Sequence, residues 1–246
     1  MNDSLLQFTV DGQTVTAHAG ETILKACDRQ GIYIPRLCYH PDLPPGGHCR
    51  MCTCKINGRF AATCVTPVIA GMKVENQTPE LQHDRRMILE MLFVEGNHIC
   101  PTCEKSGNCE LQALGYRLGM DATRLAFRWP KRELDASHPD VLIDRDRCIL
   151  CCRCVRASKT EDGKAVFSLE GRGIDSHIAV DALTGLGSTN FLETDKSTQV
   201  CPVGCILPKH HSYEQPVGNR VYDRHLIGFE VEQKKLPSPE PLGGQS

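Results

Sequence analysis

Residues 147–156 read Arg147-Cys148-Ile149-Leu150-Cys151-Cys152-Arg153-Cys154-Val155-Arg156. Cys148, Cys151 and Cys154 make a compact C-x2-C-x2-C triplet, and a Cys-Pro pair, Cys201-Pro202, lies far downstream. A triplet this tight with a distant fourth cysteine is not a usual zinc-finger spacing. It is the spacing of thiolates that hold a [4Fe–4S] cubane.

In bacterial two-cluster ferredoxins the Cys-Pro after one triplet serves the other cluster. Here there is one triplet and one such Cys-Pro, so the natural set is Cys148, Cys151, Cys154 and Cys201 on one cubane. The second half-site of a duplicated ferredoxin fold would then have lost its cluster. Short strands are predicted at Val141–Ile143, Ala165–Leu169 and Ile178–Val180, in an otherwise loop-rich stretch.

Two further cysteine groups lie upstream. Cys38, Cys49, Cys52 and Cys64 are spaced C-x10-C-x2-C-x11-C. Four thiolates from one wrapping loop can supply two ligands to each iron of a [2Fe–2S] cluster. Pro44, Pro45, Gly46 and Gly47 lie in that loop, where Gly lets backbone N–H groups approach the sulfides and Pro limits loop freedom. The competing assignment is a zinc ribbon, which also takes four thiolates. The remaining group is Cys100, Cys103 and Cys109, with His98 just before it. Three thiolates leave one iron of a cubane for an imidazole, and a neutral ligand there raises the potential. His83 is the nearby rival, but it falls inside a helix about four turns upstream.

Eleven cysteines are thereby placed. Of the other four, Cys27 lies on an apolar helix face as a small core residue, Cys152 sits inside the triplet where the spacings already work without it, and Cys54 and Cys205 have no complete partner set. Arg145, Arg147, Arg153 and Arg156 surround the triplet. They could offset the charge of a cluster and its thiolates, guide an acidic partner, or simply form a solvated face.

Composition agrees. Fifteen cysteines stand in a 246-residue chain that opens MNDSLLQFTV, without the basic and apolar regions of a secretory signal. That reads as metal-binding in a reducing compartment, the cytoplasm, and the odd count argues against complete disulfide pairing. Aromatics are only 5%, which predicts several small cores rather than one large one. The most apolar run, Met87–Val94, is short and holds Glu90, so no membrane span is expected. A net charge of −2 speaks against nucleic acid as a partner. No G-x-G-x-x-G follows a strand and no P-loop is present, so the chemistry is one-electron transfer without a catalytic residue.

The elements predict an α+β chain of three modules and a tail. Residues 1–80 are a β-grasp, [2Fe–2S] ferredoxin-like domain: alternation at Leu6, Phe8 and Val10, a turn at Asp11-Gly12, a helix over Glu21–Gln30, a second turn at Asn57-Gly58, and a last strand over Met72–Glu75. Residues 81–120 are a small helical module for the [4Fe–4S] cluster held by one histidine and three cysteines. Its helix is capped by Thr78 with Pro79 in first position, carries Leu81, Ile88, Met91 and Leu92 on one face, and ends at Gly96. Residues 121–215 are a bacterial-ferredoxin-like [4Fe–4S] domain. Residues 216–246 are a C-terminal tail, its end from Leu236 rich in Pro and Gly and read as disordered.

The ordered motifs carry a resemblance across roughly residues 5–207. Cys100-Pro-Thr-Cys103 with Cys109-Glu-Leu-Gln112, Arg147-Cys148 through Arg156, and Cys201-Pro-Val-Gly204, after the first group, resemble the N-terminal iron–sulfur region of the large NADH:quinone oxidoreductase subunit. The same region fronts many iron-only hydrogenases and some formate dehydrogenase accessory subunits. The chain has no room for their larger domains, and the Glu95-Gly-Asn-His98-Ile-Cys100-Pro stretch is similar to the small diaphorase subunits of soluble NAD-reducing nickel–iron hydrogenases. The resemblance implies a non-catalytic electron-transfer subunit of a hydrogen:NAD+ oxidoreductase complex. Its partners would be an FMN/NAD-binding diaphorase subunit and the hydrogenase small and large subunits, with FMN, NAD and the Ni–Fe site on those partners only. The matching subunit of an NAD-linked formate dehydrogenase or of NADH:quinone oxidoreductase is the nearest alternative, and a zinc-binding structural module is one of another class. One spacing departs from the quinone-reductase pattern: H-x3-C there, H-x-C here at His98-Ile-Cys100.

Overall fold

The computed structural model describes residues 5–235. The Pro- and Gly-rich end expected to be disordered lies outside the described residues.

The first strands, β1 (Leu6–Val10) and β2 (Gln13–Ala17), form an antiparallel hairpin. Asp11 and Gly12 take φ of 48° and 81°, the left-handed pair that matches strand twist in a two-residue hairpin loop. Asn57 and Gly58 repeat the device between β3 (Thr53–Ile56) and β4 (Arg59–Ala62). With β5 (Lys73–Glu75) these strands make one sheet in the order β2-β1-β5-β3-β4, in which only β1 and β5 run parallel. The helix α1 (Ile23–Arg29), capped by the Thr22 hydroxyl, lays Ile23, Leu24, Ala26 and Cys27 against Phe8, Val10, Val15 and Val74. This is the β-grasp expected from the alternation.

Thr78 and Pro79 start α2 (Pro79–Val94) as predicted, and the helix is capped at Glu95. Its buried face differs in part from the expected one. Leu81 is buried and Ile88 and Leu92 pack partly buried against the core as expected, but Met91 is exposed, and Arg85, Leu89, Glu90 and Val94 are buried as well. The reason is what α2 packs against. The edge of the first module presents acceptors rather than methyl groups, and Arg85 fills that place. It donates from Nη1 to Asn76 O at 2.8 Å and from Nη2 to Asn76 Oδ1 at 2.7 Å and Thr53 O at 3.0 Å.

The helix α3 (Glu110–Arg117) follows the second cysteine group. Beyond it, β6 (Leu134–Asp135), β7 (Val141–Asp144) and β10 (Ile206–Pro208) form a sheet in the order β10-β7-β6. Between β7 and β10 come α4 (Arg153–Thr160), the hairpin of β8 (Phe167–Glu170) and β9 (His177–Val180), and the short α5 (Lys196–Gln199). Strands thus occur near all three sites predicted for this region, while β6, β10 and α4 were not anticipated.

Apart from the β-grasp interior, the modules do not have small cores of their own. One apolar cluster runs from Leu37 and Met51 through Leu89, Leu111 and Leu114 to Ile143, Phe167 and Ile206. Residues 216–235, set apart by sequence as the start of a tail, join it. A last helix, α6 (Phe229–Glu232), contributes Val231, and Ile227 is buried beside it. Arg117 donates to Ile227 O at 2.8 Å and stacks 4.5 Å from the Tyr33 ring centre, which fastens this return to the first module. Among the described residues no helix is long and apolar enough to cross a membrane.

Arg85→Ala removes the cation that donates to Asn76 O, Asn76 Oδ1 and Thr53 O. The expected loss is about 3 kcal/mol, or a fall of roughly 6–12 °C in the melting temperature by circular dichroism. An unchanged melting curve would show that the α2 contact does not depend on this cation.

Candidate metal centres

All fifteen cysteines are free thiols, and the eleven singled out by spacing gather in three places. In the first, the β3–β4 hairpin sets Cys52 and Cys64 side by side. Thr63 N and Thr63 Oγ1 both donate to Cys52 O, at 3.3 and 2.8 Å. The loop from Tyr39 to His48 brings Cys49 back to Cys38, whose N–H meets Cys49 Sγ at 3.4 Å. Thiol contacts from Cys49 and Cys64 hold Cys38 well below the usual thiol range. A contact from Cys64 brings Cys52 down to about 7. Four sulfurs within hydrogen-bonding reach, two of them readily ionised, match the donor set of a [2Fe–2S] cluster. The room at Gly46 is used by the His48 ring, not by an approaching backbone group.

In the second place, His98, Cys100, Cys103 and Cys109 line one cavity with Phe93, Ser106, Leu111, Gln112, Arg147 and Gly204. His98 Nε2 is buried there without a hydrogen-bond partner, and the ring meets Phe93 edge-on at 5.5 Å. Burial, then the Arg147 and Arg132 cations, depress its pKa to about 4. A neutral imidazole with an unused ring nitrogen, in the same cavity as three thiols, fits a cluster with one histidine and three cysteine ligands. The shorter H-x-C spacing is accommodated by Gly96. A Cβ at that position would stand 2.5 Å from His98 Nε2, so the imidazole occupies the volume a side chain at 96 would take. His83 is exposed on α2, away from this cavity.

In the third place, Cys151, Cys154 and Cys201 are buried and Cys148 is half-buried. Leu150 and Cys152 take left-handed φ of 51° and 53°, which turns the Leu150 N–H onto Cys148 Sγ at 3.4 Å. Alternating conformations of this kind aim backbone N–H groups at an anion. Sequence reasoning set Cys205 aside; the fold brings its thiol within reach of Cys148 and Cys201. That contact lowers Cys148 and brings Cys201 down to about 6. The signal was Cys201-x3-Cys205, legible only once β10 pairs with β7. The other leftovers are as read: Cys27 is in the β-grasp core, and Cys152 caps α4. Cys54 lies 3.6 Å from both Arg85 Nη2 and Asn76 Oδ1.

The four arginines around the triplet are neither a solvated face nor a lure for a partner. Arg145 is buried and donates to Ile178 O at 2.8 Å and Glu133 O at 3.0 Å. Arg147 joins the second and third places: Nη1 lies 2.6 Å from Glu104 and 3.7 Å from Cys103 Sγ. Arg153, 2% exposed, grips both oxygens of Glu110 at 2.6 and 2.7 Å and donates to Tyr39 O at 2.8 Å. Arg156 donates to Cys38 O and Pro44 O. Asn97 completes the ties, donating from its backbone to Asp146 O at 2.9 Å and from its side chain to Asp146 Oδ2 at 3.0 Å.

Three sulfur-lined places, one on a β-grasp and two on a shared core, define an iron–sulfur protein with both 2Fe–2S and 4Fe–4S domains. Family models agree with each: a 2Fe-2S iron-sulfur cluster binding domain matches residues 3–79, the NADH-ubiquinone oxidoreductase-G iron-sulfur binding region matches 85–124, and a 4Fe-4S single cluster domain matches 141–207. The gamma subunit of the NAD-reducing hydrogenase HoxS of Cupriavidus necator is 42% identical over 219 residues, 89% of this chain and 93% of that one. One chain of the crystal structure of an NAD+-reducing [NiFe]-hydrogenase in the H2-reduced state superposes with a TM-score of 0.89 at 41% identity, covering 94% of this chain and 99% of that one. The mitochondrial NADH-ubiquinone oxidoreductase 78 kDa subunit of Candida albicans is 33% identical over 212 residues, but this chain spans only 29% of its length. The chain belongs to the family of NAD-reducing hydrogenase gamma subunits.

His98→Ala is expected to alter the electron paramagnetic resonance of one [4Fe–4S] centre and spare the other two centres. His98→Cys, which adds a negative ligand, should lower that centre's potential. Three unchanged signals in His98→Ala would remove the imidazole from the ligand set.

Proposed function

We propose that this chain is the electron-transfer subunit of an NAD-reducing hydrogenase complex. In that role it relays single electrons between a [NiFe] hydrogenase module and an FMN- and NAD(H)-binding diaphorase module on partner subunits, in the cytoplasm. The observation that carries this reading is the match to a gamma subunit along 93% of that relative's length, with three cysteine groups lying in three iron–sulfur domains.

In this reading Cys38, Cys49, Cys52 and Cys64 hold a [2Fe–2S] cluster. His98, Cys100, Cys103 and Cys109 hold one [4Fe–4S] cluster, and Cys148, Cys151, Cys154 and Cys201 another, the clusters supplying one-electron redox chemistry. The domain limits follow the clusters: 1–80, 81–120 and 121–215, with 216–246 as a C-terminal extension. The protein's own part is to fix the clusters in place, to shield them with Leu, Ile and Phe side chains, and to set their potentials through ligand charge and hydrogen bonds.

A subunit role is supported by the stretch after α3. Phe127 and Trp129 stack with centroids 5.1 Å apart and are 43% and 61% exposed, beside exposed Leu125, Arg128 and Lys131. Val94 O accepts from Arg128 N at 2.9 Å, and Pro130 O accepts from Asn97, so the aromatic pair is mounted firmly beside the second centre. Exposed rigid aromatics are favoured anchors for a partner protein.

Anaerobic purification of the chain with its co-purifying subunits tests the proposal. A brown complex with about ten irons on this chain and nickel on a partner is expected. Molybdenum in place of nickel would point to a formate dehydrogenase, and a colourless protein with zinc would end the electron-transfer reading. Cys148→Ala should lose about four of those irons and loosen the loops of residues 121–215, because metal binding there is also folding energy. Unchanged iron content would remove Cys148 from the ligand set.

A further inference from the structure

Arg156 stands where the first and third centres come together. It projects from the first turn of α4, the helix that begins directly after Cys152. Its Nη2 donates to two carbonyls at once: Cys38 O, in the first cysteine group, and Cys151 O at 3.3 Å, in the third. Its Nε donates to Cys152 O at 3.1 Å, and its Nη1 donates to Pro44 O in the loop that wraps the first centre. The guanidinium is therefore held on all sides by acceptors from two cluster loops. Arg153, one turn back, fixes the same junction by donating to Tyr39 O.

Both carbonyls belong to residues whose own sulfurs are assigned as ligands. The connection from one centre to the other consists of the Cys38 side chain and carbonyl, one nitrogen of Arg156, and the Cys151 carbonyl and side chain. Electron tunnelling decays less steeply along covalent and hydrogen bonds than through empty space, so a connection this short favours exchange between those two centres.

We propose that Arg156 is the electronic bridge between the centre held by Cys38, Cys49, Cys52 and Cys64 and the centre held by Cys148, Cys151, Cys154 and Cys201. The inference rests on the ligand sets proposed above. In the exchange one electron leaves the reduced centre and arrives on the oxidised one. The guanidinium keeps its protons and its charge, and the step runs in either direction. Arg156 serves four acceptors from a fixed fork, whereas a lysine ammonium has three donors on one nitrogen, so lysine cannot hold Cys38, Cys151, Pro44 and Cys152 together although it keeps the charge.

The test uses the intact complex carrying Arg156→Lys or Arg156→Gln, with the wild type beside them. Three quantities are read: iron content, the potentials and mutual magnetic broadening of the two reduced centres, and the rate at which electrons redistribute between them after rapid partial reduction, followed by freeze-quench resonance. The broadening reports their separation. A bridge predicts that Arg156→Lys keeps iron, potentials and broadening while redistribution slows several-fold, and that Arg156→Gln slows it as well. Unchanged redistribution in a variant with full signals would overturn the inference alone. So would slowing that appears only with altered broadening or lost iron, because Arg156 would then be a fastener and not a bridge. A wild-type protein without cluster signals would overturn the functional reading and this inference together.

Discussion

The fold depends on a buried cation where the three cysteine groups meet. Arg153 sits between Cys152 and Cys154, grips Glu110 next to Cys109, and reaches Tyr39 next to Cys38. One side chain thus meets a neighbour of a cysteine from every group. Loops that must expose sulfur to a cluster cannot spend their backbone groups on helix or sheet ladders, and their carbonyls still need donors when buried. Guanidinium groups meet that need because each offers five donors in a fixed fork. Burying such a charge is costly unless it is paired, and the Glu110 carboxylate provides the pairing.

Sulfur takes the place that large apolar side chains hold in most cores. Ten cysteines are buried, several inside the same cluster as Leu89, Leu111, Ile143 and Phe167. The few aromatic residues are spread out: Phe8 in the β-grasp, Phe167 and Phe191 edge-on within the shared interior, and Phe127 with Trp129 on the surface. The return of residues 216–235 adds Ile227 and Val231 to that shared interior, so the modules lean on one another instead of folding as beads.

Local chemistry was legible in the sequence. The two left-handed turns at Asp11-Gly12 and Asn57-Gly58, the Thr78-Pro79 helix start and the grouping of the eleven cysteines all follow from neighbours in the chain. What escaped reading was set by distance. Arg156 and Cys38 are far apart in sequence, as are Arg153 and Tyr39, and nothing near either arginine marks it as a carbonyl clamp. Arg85 was missed on α2 because helical periodicity counts apolar residues, while the neighbouring edge demanded a donor. Cys205 was set aside for the same reason: only the pairing of Ile206 with Ile143 carries its thiol to Cys148 and Cys201. His98 was chosen by elimination, and the space left by Gly96 explains how its ring fits.

Anomalous diffraction at the iron edge, from crystals of the anaerobically purified complex, tests the central claim most directly. Three separate iron sites are predicted within this chain: one among Cys38, Cys49, Cys52 and Cys64, one facing His98 and Cys109, and one enclosed by Cys151, Cys154 and Cys201. Single zinc peaks at those places, or sulfur–sulfur bonds with no iron signal, would contradict it.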